Sequence, residues 1–156
     1  MGLAVDQFTD TLNSMLVSVF NKILRYEEEF LQNGLAKGMT IREMHLIEYV
    51  GKAGAEGRTL SEIADFLEVA RPSVTVAVRK LEGKGLLTKS GWAPDGRVVR
   101  VALTRDGRKI HMHHMRFHAL LVSELEGCFS EDEKAVLNNA LSKLDDFFSR
   151  RIEDTK

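Results

Sequence analysis

The chain has 156 residues, 44% of them hydrophobic and 29% charged, enough for one globular domain with a real core and too few for two comfortable ones. This excludes a disordered tail; no apolar run approaches the roughly 18 residues of a membrane span and the first residues lack a secretory pattern, so a cytoplasmic protein with no membrane partner is expected. The net charge of −1 conceals a segregation, because Arg71 to Arg108 holds nine Lys/Arg against three acids, a net +6 that leaves −7 for the remainder, and a basic middle is what a phosphate-facing surface requires.

Apolar residues at Phe8, Leu12, Met15, Val19, Ile23 and Leu31 recur at three- and four-residue intervals, which predicts a long amphipathic first helix ended by Gly34 and Gly38. Thr40 and Glu43 form a capping box that opens a second helix running to about Gly51. Thr59 and Glu62 repeat the device for a short third helix, with Leu60, Ile63, Ala64 and Leu67 inward and an end near Glu68. Ser73 to Val78 alternates and is rich in β-branched residues, which favours a strand locally. Pro72 at a helical start and the three/four spacing of Val74, Val78 and Leu81 up to Gly83 and Gly85 favour a helix instead.

Leu86–Lys89 and Val98–Leu103 then read as two short strands joined by the turn sequence Ala93–Gly96, a hairpin with a basic tip. Thr104 opens another long helix to about Leu125, and the Ser130/Glu133 capping box starts a last one with Leu137, Leu141, Leu144, Phe148 and Ile152 on one stripe. The chain is thus mostly α, with about six helices and a small β-hairpin wing. A short helix, a tight connection, a second helix and a basic hairpin describe a winged helix-turn-helix. That architecture places the second helix in the major groove of double-stranded DNA and the hairpin at the neighbouring backbone or minor groove. With Val74, Val78 and Leu81 inward, Arg71, Ser73, Thr75 and Arg79 are expected to meet phosphates and bases, with Lys89 and Arg97 contributing from the wing. Asp95 is read as an ion-pair partner that fixes the wing's shape.

Leu60-Ser-Glu-Ile-Ala, Pro72-Ser-Val-Thr, Leu81-Glu-Gly-Lys-Gly-Leu-Leu, Asp95-Gly-Arg97 and Leu103-Thr-Arg-Asp-Gly107 stand in the order and spacing of the MarR family of transcriptional regulators, which the whole chain resembles. The resemblance implies a homodimer intertwined through the terminal helices, residues 1–36 and 105–156, around a winged DNA-binding region, residues 40–104, and recognition of palindromic operators by a repressor. Phe20-Asn-Lys-Ile-Leu, Thr40-Ile-Arg-Glu-Met-His and Gly107-Arg-Lys-Ile-His-Met-His-His-Met-Arg-Phe-His118 are similar to the branch that represses fatty-acid-synthesis genes. That implies an acyl chain on acyl-carrier protein as effector. Met15, Met39, Met44, Met112 and Met115 are adaptable residues suited either to the walls of an acyl tunnel or to plain core.

His114 and His118, four apart on one helix, project side by side and can share a metal, with His45 and Glu27 as further donors and His111 leaning toward the same face. Glu27, His45, His114 and His118 also match the zinc-sensing branch of the family in spacing. The fatty-acid branch carries the same polar residues without a metal, so they do not decide for zinc; the alternatives are hydrogen-bonded buried histidines or a pH-sensitive cluster. The fold itself calls for no cofactor.

The single cysteine, Cys128, cannot form an internal disulfide, and the redox-sensing branch places its reactive cysteine on the first helix, where this chain has none. A structural thiol is expected. No nucleophile motif or phosphate-binding glycine loop accompanies the histidines, so the chain is read as a binding protein and not an enzyme, with a metal-dependent hydrolase as the remote alternative. A scaffold that has kept the fold without binding DNA is a third reading, and the basic wing argues against it.

Overall fold

The computed structural model describes residues 7–91 and 99–154. They form α1 (Gln7–Asn33), α2 (Ile41–Lys52), β1 (Arg58–Thr59), α3 (Leu60–Leu67), α4 (Arg71–Gly83), β2 (Leu87–Gly91), β3 (Val99–Leu103), α5 (Arg105–Glu126) and α6 (Glu131–Glu153). The expected turn with Asp95 and Arg97 lies outside the described residues. The chain divides into two units, residues 1–115 and 116–156, with the boundary inside α5.

In the first unit the capping boxes do what their spacing predicts. Thr40 and Thr59 each accept a hydrogen bond from the backbone N–H three residues on, while Glu43 and Glu62 accept from the N–H of the capping threonine. The ambiguous segment after Pro72 is helical, because that conformation turns Val74, Val78 and Leu81 into a core that also holds Ile47, Ile63 and Val101. Burial of one helical face outweighs the local preference of β-branched residues for strands.

The sheet has the order β1-β3-β2 and is antiparallel throughout, with Leu87 opposite Leu103 and Lys89 opposite Val101. β1 pairs Arg58 with Val101; at two residues it is too short for any sequence periodicity to reveal. Where the sheet hands over to α5, the Thr104 hydroxyl donates to the Gly85 carbonyl (2.6 Å) and accepts from the N–H of Gly107 (3.1 Å). Gly107 is required there, since a Cβ would run into the Leu86 carbonyl. The Leu-Thr-x-x-Gly motif is therefore the joint that sets where α5 leaves the sheet.

Along α1 the apolar side chains of Phe8, Leu12, Met15, Phe20 and Ile23 stay exposed, and burial begins only at Glu27 and Leu31. The second unit consists of the end of α5 and α6, whose capping box at Ser130 and Glu133 is also formed. No residue of α6 is buried, and Leu137, Leu141, Phe148 and Ile152 line its surface. Among the described residues no helix is long and apolar enough to cross a membrane.

Candidate nucleic-acid interface and a buried Glu–His cluster

α3 ends at Glu68, whose backbone is left-handed (φ 52°, ψ 42°), and the Val69 N–H closes the helix by donating to the Ala64 carbonyl (3.1 Å). Three residues, Glu68 to Ala70, thus separate α3 from α4, the short turn of a helix-turn-helix. The start of α4 differs chemically from those of α2, α3 and α6. Its N-cap is Ala70, no side chain caps it and no acid lies in its first turn. The positive end of the helix dipole is met by no acid from the first turn of α4, and Arg71 adds a full charge at the same place. This costs stability and leaves the site ready for an external anion.

Arg71, Thr75 and Arg79 succeed one another at four-residue intervals and line one cleft of about 450 Å³ together with Thr59, Ser61 and Lys89. Among the described residues neither Arg71 nor Arg79 has an acidic partner. The Thr75 hydroxyl donates to the Arg71 carbonyl (3.1 Å), which leaves it as an acceptor outward. The Lys89 ammonium lies 2.7 Å from Glu82 Oε2, so its charge also ties β2 to α4. Ser73, expected beside these residues, lines a different cavity on the other side of α4. It stands about 200° round the helix from Arg71 and from Thr75, and it is exposed, on the free side where the sequence spacing puts it.

A buried carboxylate holds α4 to α2. Glu43 Oε1 is 2.7 Å from Lys80 Nζ and Glu43 Oε2 is 3.9 Å from Lys84 Nζ; Lys84 also donates to the Gly38 carbonyl (3.2 Å). Burial raises the Glu43 pKa, but the hydrogen bonds from Lys80 and Thr40 and the charge of Lys84 more than offset it, and the carboxyl sits below its ordinary value. The capping box makes Glu43 visible in the sequence; its second task does not show, because a contact between residues 37 apart leaves no periodic trace.

The second constellation lies around Glu27, which is only 4% exposed. Its Oε1 is 2.9 Å from His114 Nε2 and 3.5 Å from His45 Nε2, while His114 Nδ1 faces Glu48 Oε2 at 3.6 Å. Of the expected metal ligands, Glu27 thus meets His114 directly and stands near His45, and Glu48 is a partner that sequence reasoning missed. His118 follows His114 by one turn of α5. His111, expected to lean toward the same group, packs its ring against Gly51 on α2, so close that a Cβ there would have to displace it. Burial, seconded by Lys52, lowers the His111 pKa against the opposing pull of Glu48.

The five methionines named for a tunnel or core divide by exposure in the single chain. Met39 and Met44 belong to the core, whereas Met15, Met112 and Met115 are exposed. A cavity of about 650 Å³ does exist elsewhere, between α2, α3 and α4, with Leu46, Phe66, Val69 and Ala77 on its apolar side and Arg42 and His45 among its polar groups. Cys128 is exposed, and its thiol lies 3.5 Å from the Glu124 carbonyl.

Comparison with known proteins accounts for this arrangement. The signature of the MarR family matches residues 37–108, which run from the approach to α2 into the first turn of α5. The structure superposes on that of FabT from Streptococcus pneumoniae, solved in complex with DNA, with a TM-score of 0.85 and 37% identity over 94% of this chain and 99% of that one. The transcriptional regulator ZitR of Lactococcus lactis subsp. cremoris (strain MG1363) is 32% identical over 97 residues, 60% of this chain and 67% of ZitR. The HTH-type transcriptional regulator YpoP of Bacillus subtilis (strain 168) is 25% identical over 134 residues, 86% of this chain and 91% of YpoP.

Proposed function

The chain belongs to the MarR family of winged helix-turn-helix transcriptional regulators, and from that premise we propose that it is a repressor binding palindromic operators as a homodimer, with α4 in the major groove. The observation that carries this reading is the start of α4: an uncapped, acid-free helix end bearing Arg71, one face of which continues through Thr75 to Arg79. Phosphate contacts orient such a helix and base contacts specify the site. Arg71, Ser73, Thr75, Arg79 and Lys89 are the contacting residues on the described chain, Lys89 partly through its hold on Glu82. Arg97 and Asp95 complete the wing on the strength of the sequence pattern.

The dimer is held by residues 1–36 and 105–156, whose apolar stripes on α1 and α6 are long, regular and exposed in the single chain. A contiguous apolar surface of that kind is what a permanent partner covers. The winged region, residues 40–104, carries the DNA contacts.

The effector in this reading is an acyl chain, presented by acyl-carrier protein, in keeping with the branch likeness in α1, α2 and α5. The cavity between α2, α3 and α4 has the size of a small-molecule site, and a ligand there touches Ser73, Val74 and Ala77 of α4 directly. An effector acts only by preferring one placement of the two recognition helices over another.

A second reading, a zinc-responsive regulator, is favoured by the Glu27 carboxylate standing against His114 and His45. Zinc ligands at about 2.0–2.2 Å from the metal stand roughly 3.3–3.6 Å from one another; the His45–Glu27 separation of 3.5 Å suits this, and the 2.9 Å His114–Glu27 contact must open by a few tenths. His118 is the fourth ligand the sequence pattern supplies. A hydrolytic use of these residues has no support from the relatives, which are regulators.

Binding of the purified chain to its own promoter region, followed by electrophoretic mobility at several salt concentrations, tests the main reading. Arg79→Ala should bind about tenfold more weakly and lower the salt slope by about one; equal binding by both proteins would remove α4 from the interface. Native mass spectrometry of the untagged protein separates the effectors, since a retained lipid and a retained metal differ in mass.

A further inference from the structure

We propose that Val76 reads the methyl group of a thymine at one position in each operator half-site, an inference that rests on α4 lying in the major groove. Val74, Val78 and Leu81 mark the buried face of α4. Val76 stands two residues from both valines, which at 100° per residue puts it nearly opposite that face, and it is 67% exposed. Pro72 precedes it by one turn and Arg79 follows by almost one, so the three form the outermost ridge of the helix. The fold gives no reason for a valine there. A β-branched residue lowers helix propensity relative to Lys, Gln or Glu, and this side chain adds nothing to the core.

Single exposed apolar residues are ordinary on protein surfaces; Val76 differs in standing on the solvent side of α4, next to the Arg71–Thr75–Arg79 row. In the major groove the base edges offer hydrogen-bonding groups and a single apolar one, the thymine C5 methyl. Valine has nothing to donate or accept. Set against the amino group of cytosine or adenine, or the acceptors of guanine, it would strand a polar atom away from water; set against a methyl it loses nothing. Polar groups from Thr75 and Arg79, which share one cleft flanking Val76, remain to read or clamp what lies beside that thymine.

The test starts from the site that the full-length protein selects out of random duplex DNA. Each thymine of that site is replaced in turn by deoxyuridine, which removes only the methyl, and affinity is read by fluorescence anisotropy for the native protein and for Val76→Ala. At one symmetry-related pair of positions, deoxyuridine should weaken native binding about fourfold in one half-site and about fifteenfold in both, and should leave Val76→Ala binding unchanged. The salt slope should be the same for both proteins, because no phosphate contact is lost. Val76→Thr, which puts a hydroxyl in place of one γ-methyl and keeps the other, should retain part of the response. If the selected site is bound but no thymine responds in a Val76-dependent way, the inference is overturned. If the native protein selects no sequence at all, the regulator reading fails, and this inference with it.

Discussion

Glu43 and Lys80 join two helices that the chain order keeps apart: the Glu43 carboxylate, 6% exposed, reaches the Lys80 ammonium across 2.7 Å while its other oxygen accepts from the Thr40 N–H. One side chain thus both starts α2 and braces α4. Any displacement of α2 reaches α4 through this contact as well as through the core.

Replacing Glu43 with Gln preserves an acceptor for the cap and removes the ion pair. Urea unfolding at neutral pH should show a loss of about 1–2 kcal/mol, since the acid is buried but Lys80 is half in water. The Glu43 pKa is lowered in the folded chain, so its contribution is full above the unfolded value near 4.5 and disappears as pH falls through the folded value. Below that range native and variant chains should be equally stable; a gap that persisted there would assign the loss to packing.

The bare N-terminus of α4 makes a prediction in which stability and function move in opposite directions. Ala70→Asp supplies the missing cap and a charge favourable to the helix dipole, and should raise stability by about 1 kcal/mol. The same carboxylate stands where phosphate is expected, so DNA affinity at low salt should fall by roughly tenfold relative to the native chain, and that ratio should narrow as salt weakens both. Ala70→Ser, a cap without charge, should keep most of the stability and most of the binding. If Ala70→Asp binds DNA as well as the native chain, the start of α4 does not face the backbone.

The contrast between these two residues shows what the sequence could and could not disclose. Every element that announces itself locally was legible: the capping boxes at Thr40, Thr59 and Ser130, the three/four spacing of Val74, Val78 and Leu81, and the Gly107 joint after Thr104. β1 was not, because two residues have no period and owe their conformation to β3. Ser73 and Arg71 are both polar residues off the core face, yet two positions along a helix set them about 200° apart, in different cavities. The Glu27–His114 contact was anticipated as a metal pair through residue types, whereas Glu48 and the Glu43–Lys80 brace depend on how helices pack and carry no local mark. Val76 was hidden in plain view, since a valine in a β-branched run reads as core until its exposure is known.

His111 supplies a pH dependence of the opposite chemical kind from Glu43. Its folded pKa is depressed below 6.5, first by burial and then by Lys52, although Glu48 opposes them. The folded chain therefore resists protonating this ring, so its stability is greatest above the unfolded value and declines as pH falls through 6.5 toward the folded one. Chemical denaturation at pH 7.5 and pH 5.5 should show that His111→Gln loses less stability over this step than the native chain does. Parallel losses would mean that the ring against Gly51 is not the group that titrates.

His114→Ala removes the donor that faces a carboxylate with almost no access to water. The Glu27 carboxyl would keep His45 nearby in the interior, and breaking one side of such a pair costs about 3 kcal/mol. Glu27→Gln with His114 intact should cost less, because an amide can still hydrogen-bond the ring and carries no charge to strand. Thermal unfolding of the two variants measures this difference, and elemental analysis of the same untagged preparations adds an independent result. Near one zinc per native chain, lost in both variants, would favour the zinc reading, because a metal that binds only the folded state stabilises it by mass action. The same ranking of stabilities with negligible zinc in every preparation would make the Glu27–His114 pair a structural bond between α1 and α5, and would leave the cavity beside α4 as the place where an effector acts.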